Sequence, residues 1–328
     1  MKFSYKRLFP CAAVCAFLMT ACSGSKETTV EITEEPMEVS IPDAPDAAIE
    51  MIAKQLADGN GGILWKAMPA SYQVDLNGIA HLASNKVDPE IYNKSFSLIG
   101  RLADVADRQK SFILNTELGG KKPEEQIAQL EAAWPSIIGF VKTISSSPIA
   151  SVEGLQAFEG QQFFDSTVSS LIEYTADLTS LSEEGNPLQF GTVKLLVSTD
   201  DTALLEMTAP DGSIESEAFT KVESRWVPAE MATDWGISMA RAKARLESIS
   251  PEQIAQNKPQ LLGILAMVEG ILTQIEVAET QEQFDQALQG AMMPLMGLMM
   301  MQQGMGGSHS APAMPSVAPA LPADLSAP

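Results

Sequence analysis

The sequence predicts an α+β fold that is mostly helical, with one small antiparallel meander at about residues 190–228 that helices cover. Apolar residues recur at intervals of three and four over most of the region 43–181, which is typical of helices that bury one face. After Gly191 the spacing changes to alternation, which is typical of strands, and helical spacing returns after Pro228.

The helices before the meander are marked by their start signals. The first begins near Asp43. Asp88 followed by Pro89 predicts a helix start of good quality, because Asp is a preferred N-cap and Pro is favoured at the first helical position. Another helix starts at Pro123 and contains Pro135, which predicts a kink or a break.

The meander is predicted to have three or four strands. Every second residue of the first strand is apolar. We therefore expect one face of this strand to carry Val193, Leu195 and Val197. Turn signals at 200–201 and 210–212 separate the following strands. Since one face is strongly apolar, we expect helices to cover the sheet on one side.

Two longer helices are predicted after the meander. Pro228 opens one, in which Trp235 faces inward. The next follows Ser250 and is apolar enough for us to expect substantial burial, while Pro259 predicts a split near its start. Its apolar residues are Leu261, Leu262, Ile264, Leu265, Val268, Ile271, Leu272 and Ile275.

Composition divides the chain into five predicted parts. Residues 1–21 are a signal peptide and residues 22–42 an acidic, flexible tether. A helical region covers 43–146, and a region of helices plus the sheet covers 147–290, with the two forming one domain or two. Residues 291–328 form a Met-rich and then Pro- and Ala-rich tail that is expected to be disordered.

The charge balance excludes one class of partner. Removing residues 1–21 takes away Lys2, Lys6 and Arg7 and no acid, which leaves 18 basic residues against 42 acidic ones, a net charge of −24. A surface of that sign will not bind nucleic acid or anionic lipid head groups by charge. We therefore expect no nucleic-acid partner.

The first residues carry a targeting pattern. A basic segment at 2–7 precedes an apolar run at 8–19, which is shorter than the roughly 20 residues that a membrane-spanning helix needs. Met19 and two small residues then precede Cys22. The pattern resembles the bacterial lipoprotein signal peptide, and the resemblance implies cleavage between Ala21 and Cys22, with diacylglycerol on the Cys22 sulfur and an acyl chain on its amine.

The resemblance also implies a location. Three acyl chains on one cysteine would hold the mature protein on a membrane without spanning it. Ser23 stands where the inner-membrane retention signal of enteric bacteria would place Asp, which favours the periplasmic face of the outer membrane. Cys11 and Cys15 leave with the signal peptide, so the mature chain has no disulfide and no thiol chemistry.

A second, weaker resemblance concerns the meander. Phe219, Lys221, Val222 and Trp226 form a pattern similar to the sheet of nuclear transport factor 2-like (NTF2-like) domains in small, uncharacterised bacterial envelope lipoproteins. The segment 56–65 resembles the helical lid of the same group. Some of these proteins bind ligands inside the fold. The candidate pocket residues are Trp65, Tyr72, Trp226 and Trp235.

Sequence motifs of common enzymes are missing. The chain has no Gly-x-Ser-x-Gly, no His-Glu-x-x-His, no Walker box and no dinucleotide fingerprint. His81 is the sole histidine before the tail, and a lone histidine is typically structural. Carboxylate pairs at helical spacing are typical of solvated faces. They are Asp104 with Asp107, Glu124 with Glu125, and Glu183 with Glu184.

The Met-rich segment is the sharpest local signal. Thioethers suit Cu(I), so an exported, methionine-dense tail is a candidate copper site. The simpler interpretation is adaptable packing at a helix end that runs into a low-complexity tail. The candidate ligands are Met292, Met293, Met296, Met299, Met300, Met301, Met305, Met314 and His309.

Together these patterns predict a cell-envelope lipoprotein that is not an enzyme. We expect a non-catalytic binding or scaffolding module tethered by lipid at Cys22, with an unknown protein or small molecule as its partner and no resident cofactor. Copper handling by the tail is the alternative, and an unrecognised periplasmic hydrolase is the third hypothesis.

Overall fold

The computed structural model of the chain describes residues 40–118, 120–181, 191–209 and 212–292. Within these ranges, helices precede and follow a four-stranded antiparallel sheet, so the predicted α+β class is confirmed. The predicted signal peptide, most of the acidic tether and nearly all of the tail lie outside the described residues.

The helices of the first part differ widely in length. They are α1 (Pro45–Ala57), α2 (Gly62–Ala67), α3 (Ala70–Ser84), α4 (Pro89–Arg108), α5 (Lys110–Asn115) and α6 (Glu124–Ser146). A 3-10 turn and three short pieces follow. They are Pro148–Ala150, α7 (Val152–Gln156), α8 (Gly160–Phe163) and a π-helical turn (Phe164–Val168), which leads directly into α9 (Ser169–Ser180).

Two of the predicted helix starts are confirmed in detail. The Asp88 Oδ1 atom accepts hydrogen bonds from the backbone N–H groups of Glu90 and Ile91, each at 3.1 Å, and Pro89 is the first residue of α4. Such a cap satisfies N–H groups that have no partner inside the helix. Ser250 caps the helix Pro251–Glu276 in the same way.

The sheet is a simple meander. Its strands are β1 (Thr192–Ser198), β2 (Thr202–Thr208), β3 (Ile214–Val222) and β4 (Arg225–Pro228), and each is hydrogen-bonded to the next in sequence. Leu205 and Met207 of β2 are fully buried and pack with Ile49 and Ile52 of α1. The sheet is thus covered on one face, as predicted, by helices from the amino-terminal part.

Three buried clusters hold these elements together. One joins α1 and α2 to the covered face of the sheet. The largest is centred on the aromatic residues of α2, α3 and the α8 region, together with Trp235 of α10 (Ala229–Glu247). A small third cluster around Trp134 lies between α5 and α6. The chain continues with α11 (Pro251–Glu276) and α12 (281–292).

The predicted split at Pro259 is wrong, and the helix that contains Pro135 is not broken, because each proline lies inside one continuous helix. A proline removes one N–H donor and leaves the carbonyl four residues earlier without its partner. Both prolines are exposed, and so are Glu131 and Ala255, which carry those carbonyl groups. Water can therefore satisfy them, and the helix continues.

The predicted burial of α11 is also wrong. Leu272 is its one buried residue in the part of the chain that the structure describes, and Leu261 is 38% exposed. The helix packs along one side, against α4, where the Lys94 Nζ atom lies 2.7 Å from the Glu269 Oε2 atom. The helix therefore contains more apolar residues than its packing buries.

Candidate functional site

Most residues that the sequence predicts for lipid or metal binding lie outside the described residues. This holds for Ala21 and Cys22, and for the tail from Met293 to His309. Met292 is the last described residue, and it is half exposed at the end of α12. Within the described ranges, no group of three or more His, Cys, Asp or Glu side chains could hold a metal ion.

The four candidate pocket residues are all buried and are divided between two clusters. Trp65, Tyr72 and Trp235 share the largest cluster, whereas Trp226 belongs to the cluster under the sheet. Trp226 donates from Nε1 to the Asp43 carbonyl oxygen at 2.7 Å. The four side chains therefore act mainly as core, and Trp65 is the one that also lines a cavity described below.

The predicted structural character of His81 agrees with its contacts. Its Nε2 atom lies 3.2 Å from the Phe158 carbonyl oxygen, between α3 and the loop before α8. Asp104 and Asp107 flank the Lys142 ammonium group at 2.9 and 3.6 Å, which raises the pKa of Lys142. These groups form surface ion pairs, while Glu183 and Glu184 lie outside the described residues.

A groove lies on the outer face of the sheet, between the strands and the start of α10. We call it the sheet groove; its volume is about 620 Å³, and it is open to solvent. Among the described residues, no side chain that lines it is ionisable. The lining residues are Val197, Thr202, Ala203, Leu204, Ala218, Phe219, Thr220, Val222, Ala229, Ala232 and Thr233.

A β-bulge creates part of this groove and corrects one sequence prediction. Leu195 pairs with Leu205 but Val197 pairs with Leu204, so the register shifts between them. Because neighbouring residues of β2 point to opposite faces, Val197 lies on the outer face and not with Leu195 as predicted. Val197 is 62% exposed and forms an apolar stripe with Leu204 and its partner Ala218.

The covered face of the sheet carries one strongly perturbed carboxyl group. Glu217 of β3 lies opposite the fully buried Leu205. Burial, together with the negative charges of Glu215 and Glu230, raises the pKa of Glu217 to about 7. This group titrates near neutral pH because little solvent reaches its charged form.

A second cavity lies where the described chain begins. We call it the cationic cavity; its volume is about 510 Å³. It is lined by Ser40, Ile41, Trp65, Lys66, Gln73, Gln161 and Arg225. Gln73 is held in place because its Nε2 atom donates to the Trp65 carbonyl oxygen at 2.8 Å. Two basic residues, two amide residues and Trp65 thus line the same cavity.

A strained turn positions Arg225 at this cavity. Glu223 and Ser224, between β3 and β4, both have positive φ angles, of 48° and 66°. This backbone is usual for glycine or asparagine in a two-residue hairpin and costs other residues energy. The Glu223 Oε2 atom accepts from the Ser71 backbone N–H at 3.0 Å, which caps α3 and lowers the pKa of Glu223.

Sequence reasoning missed both cavities. The sheet groove depends on the bulge at Leu196, and the cationic cavity joins Lys66 of α2 to Arg225 of β4. Neither spacing leaves a local signal. The sequence does show that basic residues are half as numerous as acidic ones. It does not show which of the basic residues line the same cavity.

Two further findings concern membrane-spanning helices and similarity to known proteins. No helix in the described ranges combines the length and the apolar character needed to cross a membrane. No protein-family model matches the chain, and neither a curated protein nor a solved structure is similar to it.

Proposed function

We propose that the protein is a lipid-anchored, non-catalytic binding protein of the bacterial cell envelope, attached through Cys22 at the periplasmic face of the outer membrane. The anchor rests on the basic segment, the short apolar run and the small residues that precede Cys22. The binding role rests on the sheet groove, an open apolar surface whose described lining residues are all non-ionisable.

The proposed ligand of the sheet groove is an uncharged, apolar small molecule. Its volume of about 620 Å³ falls within the range of about 300 to 1,000 Å³ that is usual for small-molecule sites. Val197, Leu204 and Ala218 supply an apolar wall, and Thr202, Thr220 and Thr233 supply hydroxyl groups that can orient a ligand. A charged ligand would lose its hydration there without gaining a partner charge.

The anchor is tested by mass spectrometry and membrane fractionation of the protein produced in an enteric bacterium. We expect the amino-terminal peptide to begin at Cys22 and to carry diacylglycerol and an acyl chain. Cys22→Ala should abolish the added mass, whereas Cys15→Ala, which changes another cysteine of the signal, should leave it intact. An unmodified wild-type protein in the soluble fraction would contradict the anchor.

The membrane assignment has its own test. Ser23→Asp should move the protein from the outer-membrane to the inner-membrane fraction of a density gradient, because Asp at that position is the retention signal. If the wild type already sediments with the inner membrane, the outer-membrane proposal fails while the anchor stands.

The sheet groove is tested with Nile red, an uncharged apolar dye. Ala218→Glu and Thr233→Glu each place a charge in the groove, one from the sheet and one from α10. We expect each to weaken dye binding at least about tenfold, because the ligand would then desolvate a carboxylate. Ala128→Glu, on an exposed position of α6, is the matched control and should bind as the wild type does. Unchanged binding in both groove variants would contradict the proposal.

A further inference from the structure

The cationic cavity has two basic side chains in its lining, Lys66 and Arg225. Lys66 and Arg225 are half-buried, and neither has a carboxylate within ion-pair distance in the part of the chain that the structure describes. Nearby Lys221, by contrast, is bound to Asp43 and lies over the Trp226 ring. In a chain with 42 acidic and 21 basic residues, two free cations that face one cavity are available for an external anion.

One of the two amide side chains in the lining fits an anion with oxygen atoms. The Gln73 amide donates its two N–H bonds to the Trp65 and Met68 carbonyl oxygens, so it shapes the cavity wall and is not a donor for an anion. Gln161, at the exposed start of α8, supplies the amide that can donate. A guanidinium, an ammonium and amide N–H groups are the donors that recognise carboxylates, and the guanidinium can bind one with two parallel hydrogen bonds.

Acidic residues of the same chain precede the first residues of the cavity lining in the sequence. Ser40 and Ile41 line the cavity, and Asp43 is held by Lys221 and by the Trp226 indole N–H group. Glu38 is two residues before Ser40 in the sequence, so its carboxylate is covalently joined to a residue that lines the cavity. A group that is tethered next to a site has an effective concentration of about millimolar there.

We infer that the cationic cavity is a binding site for carboxylate groups, which come either from the acidic segment that contains Glu34, Glu35 and Glu38 or from a free polycarboxylate. Lys66 and Arg225 bind the carboxylate oxygens, and the Gln161 amide donates to them. The site is separate from the sheet groove and does not depend on acylation of Cys22, so its test stands apart from the tests of the proposed function.

The test is calorimetric titration of the full mature chain, in detergent micelles at low ionic strength, with citrate as the probe. The Lys66→Met, Arg225→Met double variant removes both cavity charges and keeps side chains of similar length. The matched control is Lys54→Met, Arg241→Met, which removes one lysine and one arginine from exposed positions on α1 and α10. Circular dichroism melting of each protein verifies the fold.

The cavity variant should bind citrate at least about tenfold more weakly than the control, because it lacks both charged donors that the cavity offers to a carboxylate. A third protein, with Glu34→Gln, Glu35→Gln and Glu38→Gln, separates the two sources. If the chain's own acids fill the cavity, this protein binds citrate at least about tenfold more tightly than the wild type, and adding Lys66→Met, Arg225→Met removes the gain. If free polycarboxylates are the ligands, the two proteins bind equally.

Two results would overturn the inference. One is equal citrate binding by the cavity variant and its matched control. The other is no citrate binding by the protein with the three neutralised glutamates, because nothing then competes for the cavity.

Discussion

The phenol ring of Tyr72 lies flat on the indole of Trp235, with 3.9 Å between the ring centroids and 6° between the ring planes. This stack joins α3 to α10, and through α10 it ties the sheet to the amino-terminal helices. The Trp235 Nε1 atom also donates to the Asp75 Oδ2 atom at 2.8 Å. Both rings are buried, whereas Asp75 is exposed.

The stacking, and not the hydrogen bond, should dominate the stability of this junction. Trp235→Ala is expected to lower the free energy of unfolding by about 3 to 5 kcal/mol, because a large buried ring is lost. Asp75→Ala should cost about 1 kcal/mol, since the bond is part-buried and water can reach it from the side of the exposed Asp75. Urea unfolding followed by circular dichroism measures both values. Similar losses in the two variants would show that the hydrogen bond holds the helices together.

Gly160 is required where α8 meets α2. A Cβ atom at this position would fall on the six-membered ring of Trp65, which is 5% exposed and cannot move aside. Gly160→Ala is therefore expected to lower the free energy of unfolding by about 1 to 3 kcal/mol, the usual cost of overpacking. Urea denaturation provides the measurement.

Gly78 supplies the matched control for that substitution. It lies within α3, and an added Cβ atom would have no heavy atom within 4 Å. Gly78→Ala should raise the free energy of unfolding by about 0.5 to 1 kcal/mol, because alanine loses less conformational freedom in a helix. If Gly160→Ala also raised the free energy of unfolding, the close approach of Gly160 to Trp65 would be refuted.

The sequence predicted the class, the meander and most helix starts, because these follow from local spacing and capping. Asp88 and Ser250 cap their helices as expected. The face of Val197 could not be predicted, since it depends on a bulge that pairing with β2 reveals. The exposure of Leu261 could not be predicted either, because it depends on which helices pack against α11. The apolar periodicity of α11 is the same as that of a helix that is buried.

The candidate sites were less predictable than the fold. The four aromatic residues were expected to line a pocket, and their types are indeed those of binding sites, but such residues fill cores equally well. Lys66 and Arg225 meet only after α2 and β4 have packed near each other. No local pattern in the sequence contains that relationship.

Glu217 should make stability depend on pH. Burial is the main cause that raises its pKa to about 7, and the charges of Glu215 and Glu230 add to it. In the unfolded chain its pKa is near 4.5. Between these two values the folded state holds a proton that the unfolded state releases, so stability falls as pH rises from about 4.5 through 7 and is constant above.

Glu217→Gln should remove this dependence and increase the free energy of unfolding at pH 8 by about 1 to 2 kcal/mol, a value reduced for the partial solvent exposure of the group. Urea unfolding at pH 5 and pH 8 compares the variant with the wild type. Glu247→Gln, at an exposed position of α10, is the control and should retain the wild-type difference between the two pH values. If the wild type were more stable at pH 8 than at pH 5, and Glu217→Gln removed that difference, the burial of Glu217 would be contradicted.

Gln109 holds the end of α11 against the rest of the protein. Its side chain is 6% exposed, and its Nε2 atom lies 2.9, 3.0 and 3.1 Å from the carbonyl oxygens of Ile275, Glu276 and Ala278. Carbonyl groups at the end of a helix lack partners within it, so this amide satisfies groups that would otherwise be buried without a donor.

Gln109→Leu should therefore cost about 1 to 3 kcal/mol, the penalty for leaving a buried carbonyl group unpaired. Since α11 has Leu272 as its one buried residue among those described, the loss should be local, and hydrogen exchange should accelerate in α11 and α12 before it does in α3. Gln109→Glu should be more damaging at neutral pH, because a carboxylate would face carbonyl oxygens. Gln129→Leu, at an exposed position of α6, should leave the exchange of α11 unchanged. If hydrogen exchange accelerated uniformly throughout the chain, α11 would unfold together with the core. The packing of α11 against α4 would then be stronger than one buried leucine and surface ion pairs imply.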